Sequence, residues 1–63
     1  MMFKVEWSDI DLWPHNGFVN AGNRYEAQEI AQKVLTEQCI ITKVDWDFDN
    51  EFNEDMVTLN EAL

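Results

Sequence analysis

The stretch that decides the fold reads Asn23-Arg24-Tyr25-Glu26-Ala27-Gln28-Glu29-Ile30-Ala31-Gln32-Lys33-Val34-Leu35. Its small and aliphatic residues recur at intervals of three and four, and charged or amide side chains fill the positions between them. Asn23 is a favourable N-cap, and Glu26 three residues later can complete a reciprocal cap. We therefore predict an amphipathic helix over residues 24–38, whose apolar stripe faces the core: Ala27, Ile30, Ala31, Val34 and Leu35.

Two strands are predicted before this helix. Residues 3–7 alternate between apolar and polar side chains, a period typical of a half-buried strand. Residues 18–21 predict a short second strand that returns antiparallel to the first. The connection over residues 8–17 contains Pro14, which cannot donate to a ladder, and an Asn-Gly pair ending at Gly17, which is a strong turn signal. We therefore expect a long hairpin loop here.

A third strand follows the helix, with two alternating sets of side chains. The set expected to face the core is Ile40, Thr42, Val44, Trp46 and Phe48. The set expected to face away is Ile41, Lys43, Asp45, Asp47 and Asp49. The order strand, strand, helix, strand predicts a small α+β domain: a three-stranded sheet of order 2-1-3, with the central strand antiparallel to both neighbours and the helix across one face. The other face stays open unless the tail or a second copy packs on it.

The predicted ββαβ core domain covers residues 1–49, and residues 50–63 form an acidic C-terminal segment. Its apolar residues Phe52, Met56, Leu59 and Leu63 have helical spacing, and Asn53 is a candidate cap. Two interpretations stay open for this segment. It is either a short amphipathic helix or a flexible tail that folds on a partner.

One motif carries a resemblance to known proteins. Val19-Asn20-Ala21-Gly22-Asn23-Arg24-Tyr25-Glu26-Ala27-Gln28-Glu29-Ile30-Ala31 lies between a strand hairpin and a final strand. In this setting it resembles short acidic phage-encoded ββαβ proteins, over roughly residues 3–48. The resemblance implies the fold, a viral origin and action on host machinery by contact. It implies no site residue.

Composition excludes several functional classes. The 63 residues carry a net charge of −9. The segment from Val44 onward contains seven acidic residues and no basic residue. Direct binding to nucleic acid or to an anionic membrane needs Lys and Arg surfaces, so we expect a basic protein partner instead. No apolar run approaches the roughly 20 residues of a membrane span, and no signal peptide is recognisable, which favours the cytoplasm, that of the host if the protein is phage-encoded.

Catalysis is not predicted. The chain has no phosphate loop or dinucleotide fingerprint, and its two glycines cannot build one. His15 has no second histidine or nearby cysteine for a zinc site, and no nucleophile elbow accompanies Ser8. Cys39, the only cysteine, excludes an internal disulfide and is expected to be a small core residue. We therefore expect a protein that is not an enzyme and has no cofactor.

The acidic row consists of Asp45, Asp47, Asp49, Glu51, Glu54 and Asp55. Alternate residues on a strand lie about 6.6–6.8 Å apart, a spacing comparable to that of successive phosphates on a nucleic-acid strand. The row is either a decoy for a nucleic-acid-handling protein or a solvent face that charge protects from edge pairing. The same stretch nearly matches a calcium loop, but the twelfth position, where a bidentate glutamate is required, holds Met56.

Trp13 in the loop and Phe52 in the tail are candidate apolar anchors, with core cover as the alternative for each. Our leading hypothesis is a non-catalytic inhibitor that binds a basic nucleic-acid-handling host protein by charge mimicry. The alternatives are an assembly module that homodimerises through its open sheet face, and a calcium-binding element. The candidate partner-binding residues are Asp45, Asp47, Asp49, Glu51, Glu54, Asp55, Trp13 and Phe52.

Overall fold

A computed structural model describes residues 1–35, 39–47, 51–53 and 55–62. Within these residues the chain forms β1 (Met2–Ser8), β2 (Pro14–Asn20), α1 (Arg24–Val34), β3 (Ile40–Trp46) and a 3-10 helix (Leu59–Ala62). The sheet has the order β2-β1-β3, and β1 is antiparallel to both neighbours, which confirms the predicted α+β topology. Neither helix in the described parts of the chain has the length and apolar character needed to cross a membrane.

The helix begins as predicted. The Asn23 side chain accepts a hydrogen bond from the Glu26 amide (2.9 Å), while the Glu26 carboxylate accepts from the Gly22 amide (3.1 Å). The reciprocal bond thus reaches one residue before the cap. The predicted end at residue 38 is too late, because Leu35 has extended dihedrals (φ −85°, ψ 126°) and packs against the core. Residues 36–38 lie outside the described residues.

The hairpin is tighter than the sequence predicts. The connection spans residues 9–13 only, since Pro14 opposes Ser8 and Gly17 opposes Val5 within the β1–β2 ladder. Pro14 is the first residue of its strand, a position where proline is tolerated. A Cβ atom on Gly17 would lie 3.1 Å from the Trp7 ring and 3.6 Å from Leu59. Gly17 therefore makes room for an aromatic ring that covers the strand, and the predicted turn there is wrong.

The main core lies between α1 and one face of the sheet. Its buried members are Phe3, Val5, Val19, Ala21, Ala27, Ala31 and Val44. Phe18 opposes Lys4 in the ladder and so lies on the other face of the sheet, where it is nevertheless buried. The ring of Phe52 packs edge-on against the Phe18 ring (centroids 5.5 Å apart). Part of the face that the sequence leaves open is therefore covered by the tail.

The predicted inward set of β3 is only partly right. Glu6 opposes Lys43 and Trp7 opposes Ile41, so the register shifts by one residue at Thr42. Such a bulge reverses which side chains face the core. Ile41 accordingly packs on the core, whereas Ile40 and Thr42 are exposed.

The other members of the predicted inward set have different outcomes. Val44 is buried as expected, but Trp46, at the end of an edge strand, is 48% exposed. Phe48 lies outside the described residues.

The tail contains no α-helix within residues 51–53 and 55–62. The Asn53 side chain accepts from the Asp55 amide (2.9 Å), and the Asn53 carbonyl accepts from the Met56 amide (3.0 Å), which forms a turn. The 3-10 helix follows at Leu59, whose side chain packs against the core. Leu63 lies outside the described residues.

Candidate partner-binding surface

The hairpin tip, residues 9–13, has a defined backbone. The Asp9 carbonyl accepts from the Leu12 amide (2.9 Å), and the Asp9 amide donates to the Trp13 carbonyl (3.2 Å). Leu12 has φ 65°, in the left-handed region that residues other than glycine adopt at a cost. A strained residue persists only where its surroundings fix it.

The Asp9 carboxylate holds the tip together. Its Oδ1 accepts from the amides of Asp11 (2.9 Å) and Trp13 (3.0 Å), and its Oδ2 lies 2.9 Å from His15 Nε2. The hydrogen bond with His15, followed by that from the Trp13 amide, lowers the pKa of Asp9 below its ordinary value. The His15 ring stacks on Trp7 of the central strand (centroids 5.8 Å apart), which ties the tip to the sheet.

Three apolar side chains project from this tip. Ile10 is 70% exposed, Leu12 74% and Trp13 67%. Trp13 therefore does not fold back over the core, and the core-cover interpretation of this residue is wrong. A loop of five residues, fixed by its own hydrogen bonds, thus presents three large apolar groups to solvent. Such exposed patches are typical of contact sites, and tryptophan is enriched at interface centres.

Two described members of the acidic row, Asp45 and Glu51, form ion pairs within the chain. Asp45 lies 3.1 Å from Lys43 Nζ and 3.6 Å from Arg24 Nη2, and Glu51 lies 2.7 Å from Lys4 Nζ. These contacts raise the pKa of Lys43, mainly through its hydrogen bond with Asp45, and that of Lys4, mainly through its hydrogen bond with Glu51. Three of the four basic residues of the chain are therefore paired with members of the acidic row.

The Asp47 carboxylate holds the backbone that follows β3. Its two carboxylate oxygens accept from the amides of Glu51 (3.0 Å) and Phe52 (3.2 Å). Glu51 and Phe52 are thereby held next to the end of β3, and Glu51 does not continue the line of the strand.

The remaining members of the acidic row are less informative. Asp55 is exposed in the turn that follows Asn53. Asp49 and Glu54 lie outside the described residues.

The open face carries charges of both signs instead of a row of one sign. A shallow cleft of about 300 Å³ lies on it, lined by Lys4, Glu6, Lys43, Asp45, Trp46, Asp47 and Glu51. Phe52 lies beside Phe18 and takes part in the fold, so only Trp13 of the two predicted anchors is available to a partner. Among the described residues no three His, Cys, Asp or Glu side chains are grouped so that they could hold a metal ion.

Sequence reasoning missed Asp9, which organises the hairpin tip. An aspartate that opens a short loop between two strands is a recognised turn former, and this signal could have identified it. Comparison of the chain with family models, with curated proteins and with solved structures finds no match.

Proposed function

We propose that this protein is a non-catalytic interaction module that binds a basic protein partner through its hairpin tip. The observation that carries the proposal is the exposure of Ile10, Leu12 and Trp13 on a loop whose backbone is fixed by Asp9. A fixed loop loses little conformational entropy on binding, so its apolar contacts contribute more of their energy to affinity. Trp13 is the expected centre of the contact.

The net charge of −9 supports a basic partner. Long-range attraction speeds encounter and orients the two proteins, while apolar contacts slow dissociation. We further propose that the partner is a nucleic-acid-handling protein of the host, which the chain inhibits by competing with its natural polyanion. Because Asp45 and Glu51 are paired internally, this competition would use the overall negative field more than a row of carboxylates at phosphate spacing.

The test is a capture experiment from nuclease-treated host lysate with three forms of the protein. Trp13→Ala removes the proposed anchor, and Tyr25→Ala is the matched control, because Tyr25 is an aromatic on α1 that is 82% exposed. We expect a basic protein to be retained by wild type and by Tyr25→Ala. Its affinity for Trp13→Ala should fall by about thirtyfold or more, as for a central interface residue.

Salt provides the second arm of this experiment. Association with the captured protein should slow as ionic strength rises, because the steering charges are screened. A partner that binds Trp13→Ala as tightly as wild type, or whose association is indifferent to salt, would refute the proposal. Addition of nucleic acid should displace the chain if the partner handles nucleic acid.

The two other hypotheses have less support. Homodimerisation through the open face would have to use a surface where Phe52 already covers Phe18 and Lys4 pairs with Glu51. A calcium-binding element would need Asp45 and Asp47, whose oxygens already accept from Lys43 and from backbone amides.

A further inference from the structure

The two edges of the sheet differ in how they are covered. At the β2 edge, the Asn60 side chain accepts from the Asn20 amide (2.7 Å) and donates to the Asn20 carbonyl (3.0 Å). This pair of bonds imitates a neighbouring strand at Asn20, the last residue of β2. Along β3 there is instead an open groove of about 270 Å³, lined by Arg24, Gln28, Ile41, Thr42, Lys43, Val44 and Asp45.

The register decides which backbone groups line this groove. The Asp47 amide donates to the Met2 carbonyl (3.1 Å), and these two residues extend the register in which Lys4 opposes Asp45. Hydrogen-bonded and non-hydrogen-bonded pairs alternate along an antiparallel ladder. The amide and carbonyl of Asp45 therefore point towards β1, whereas those of Val44 point outward into the groove.

The charges on either side of Val44 are self-complementary. Lys43 and Asp45 flank it on the same face of β3, and each is more than 40% exposed. Within one chain Asp45 lies 3.1 Å from Lys43 Nζ and 3.6 Å from Arg24 Nη2, so a second copy has to take the place of these partners. When a strand pairs antiparallel with a copy of itself about Val44, each Lys43 stands opposite Asp45 of the other copy. Opposite charges in directly facing positions stabilise a strand pair, and a two-fold axis repeats the contact twice.

We propose that β3 is the docking site for a second copy of this chain. The two β3 strands pair antiparallel with Val44 opposite Val44, which joins two three-stranded sheets into one of six strands. The Val44 amide of each copy donates to the Val44 carbonyl of the other. This interface does not use the hairpin tip, so it goes beyond the proposed function and can fail independently of it.

The first test measures oligomeric state by sedimentation over about two orders of magnitude in protein concentration. Salt of about 0.15 M screens the repulsion between two chains of net charge −9. Wild type should show a monomer–dimer equilibrium. Lys43→Glu and Asp45→Lys, each alone, place like charges opposite each other and should weaken the dimer by at least about tenfold.

Mixing those two variants is the decisive arm, because every facing pair is then again of opposite charge. The mixture should form a heterodimer, and the double variant Lys43→Asp with Asp45→Lys should form a homodimer. Lys33→Glu makes the same charge change as Lys43→Glu on α1 and should leave the dimer unchanged. Far-UV circular dichroism of each variant checks that the fold is retained.

Amide hydrogen exchange tests the register itself. The Lys43 and Asp45 amides should be protected at every concentration, because they bond to β1. The Val44 amide should become protected only as dimer forms, which dimerisation through the open face would not produce. A chain that stays monomeric, a dimer indifferent to Lys43→Glu, or a Val44 amide whose exchange ignores concentration would overturn the proposal.

Discussion

The hairpin tip and the acidic row both lie in or beside connecting segments, but they use their side chains in opposite ways. In the tip, the Asp9 carboxylate accepts hydrogen bonds from backbone amides, and the apolar side chains around it are exposed. In the acidic row, the Asp47 carboxylate likewise accepts hydrogen bonds from backbone amides, but the neighbouring Phe52 is packed on Phe18. The difference teaches that exposure, and not residue type, separates a candidate contact residue from a structural one.

The largest expected effect is a difference in the free energy of unfolding between variants of Phe52 and Trp13. Phe52→Ala removes the ring that covers Phe18 and should lower the free energy of unfolding by about 2 kcal/mol, somewhat less than for a fully buried phenylalanine. Trp13→Ala removes a side chain that is 67% exposed and should change the free energy of unfolding by less than about 0.5 kcal/mol. Urea unfolding of both variants measures this. Equal losses would contradict the assignment of Phe52 to the fold and Trp13 to the surface.

A smaller effect, an increase in stability, is expected for a substitution within the hairpin tip. Leu12 has φ 65° and is 74% exposed, so glycine there removes backbone strain without loss of packing. After the added entropy of glycine in the unfolded chain is subtracted, Leu12→Gly should stabilise the fold by about 0.5–1 kcal/mol. Ile10→Gly is the control and should destabilise, because Ile10 is not in the left-handed region. Thermal unfolding should therefore move in opposite directions for the two variants.

The smallest expected effect is a pH dependence of the tip. The pKa of Asp9 in the folded protein lies below its ordinary value of 3.8, with the His15 hydrogen bond as the main cause. The ionised carboxylate therefore contributes stability that is present above about pH 3.8 and is lost as the pH falls through the folded pKa. Asp9→Asn cannot ionise and lacks this contribution.

Wild type should thus be more stable than Asp9→Asn near neutral pH, and the difference should narrow below about pH 3.8. Urea unfolding of both proteins as a function of pH measures it. A gap between the two proteins that is constant across this range would show that ionisation of Asp9 does not hold the tip.

Much of the candidate site could not be predicted because it depends on partners far apart in the sequence. Lys4 pairs with Glu51, 47 positions away, and Arg24 of the helix pairs with Asp45 of β3. A charge count reveals the excess of acids but not which of them are compensated. Trp13 and Phe52 carry the same two interpretations in the sequence, and only their surroundings in the fold separate them.

The sequence by itself determined the helix start, its buried stripe and the strand order, because capping and hydrophobic periodicity are local and topology follows from the order of elements. Only the tertiary structure decided the length of the hairpin, the bulge at Thr42 and the cover over Phe18. Each of these depends on a contact between strands or with the tail. Gly17 shows the reason, since its place in β2 is explained by the Trp7 ring of the neighbouring strand, a contact that no local pattern encodes.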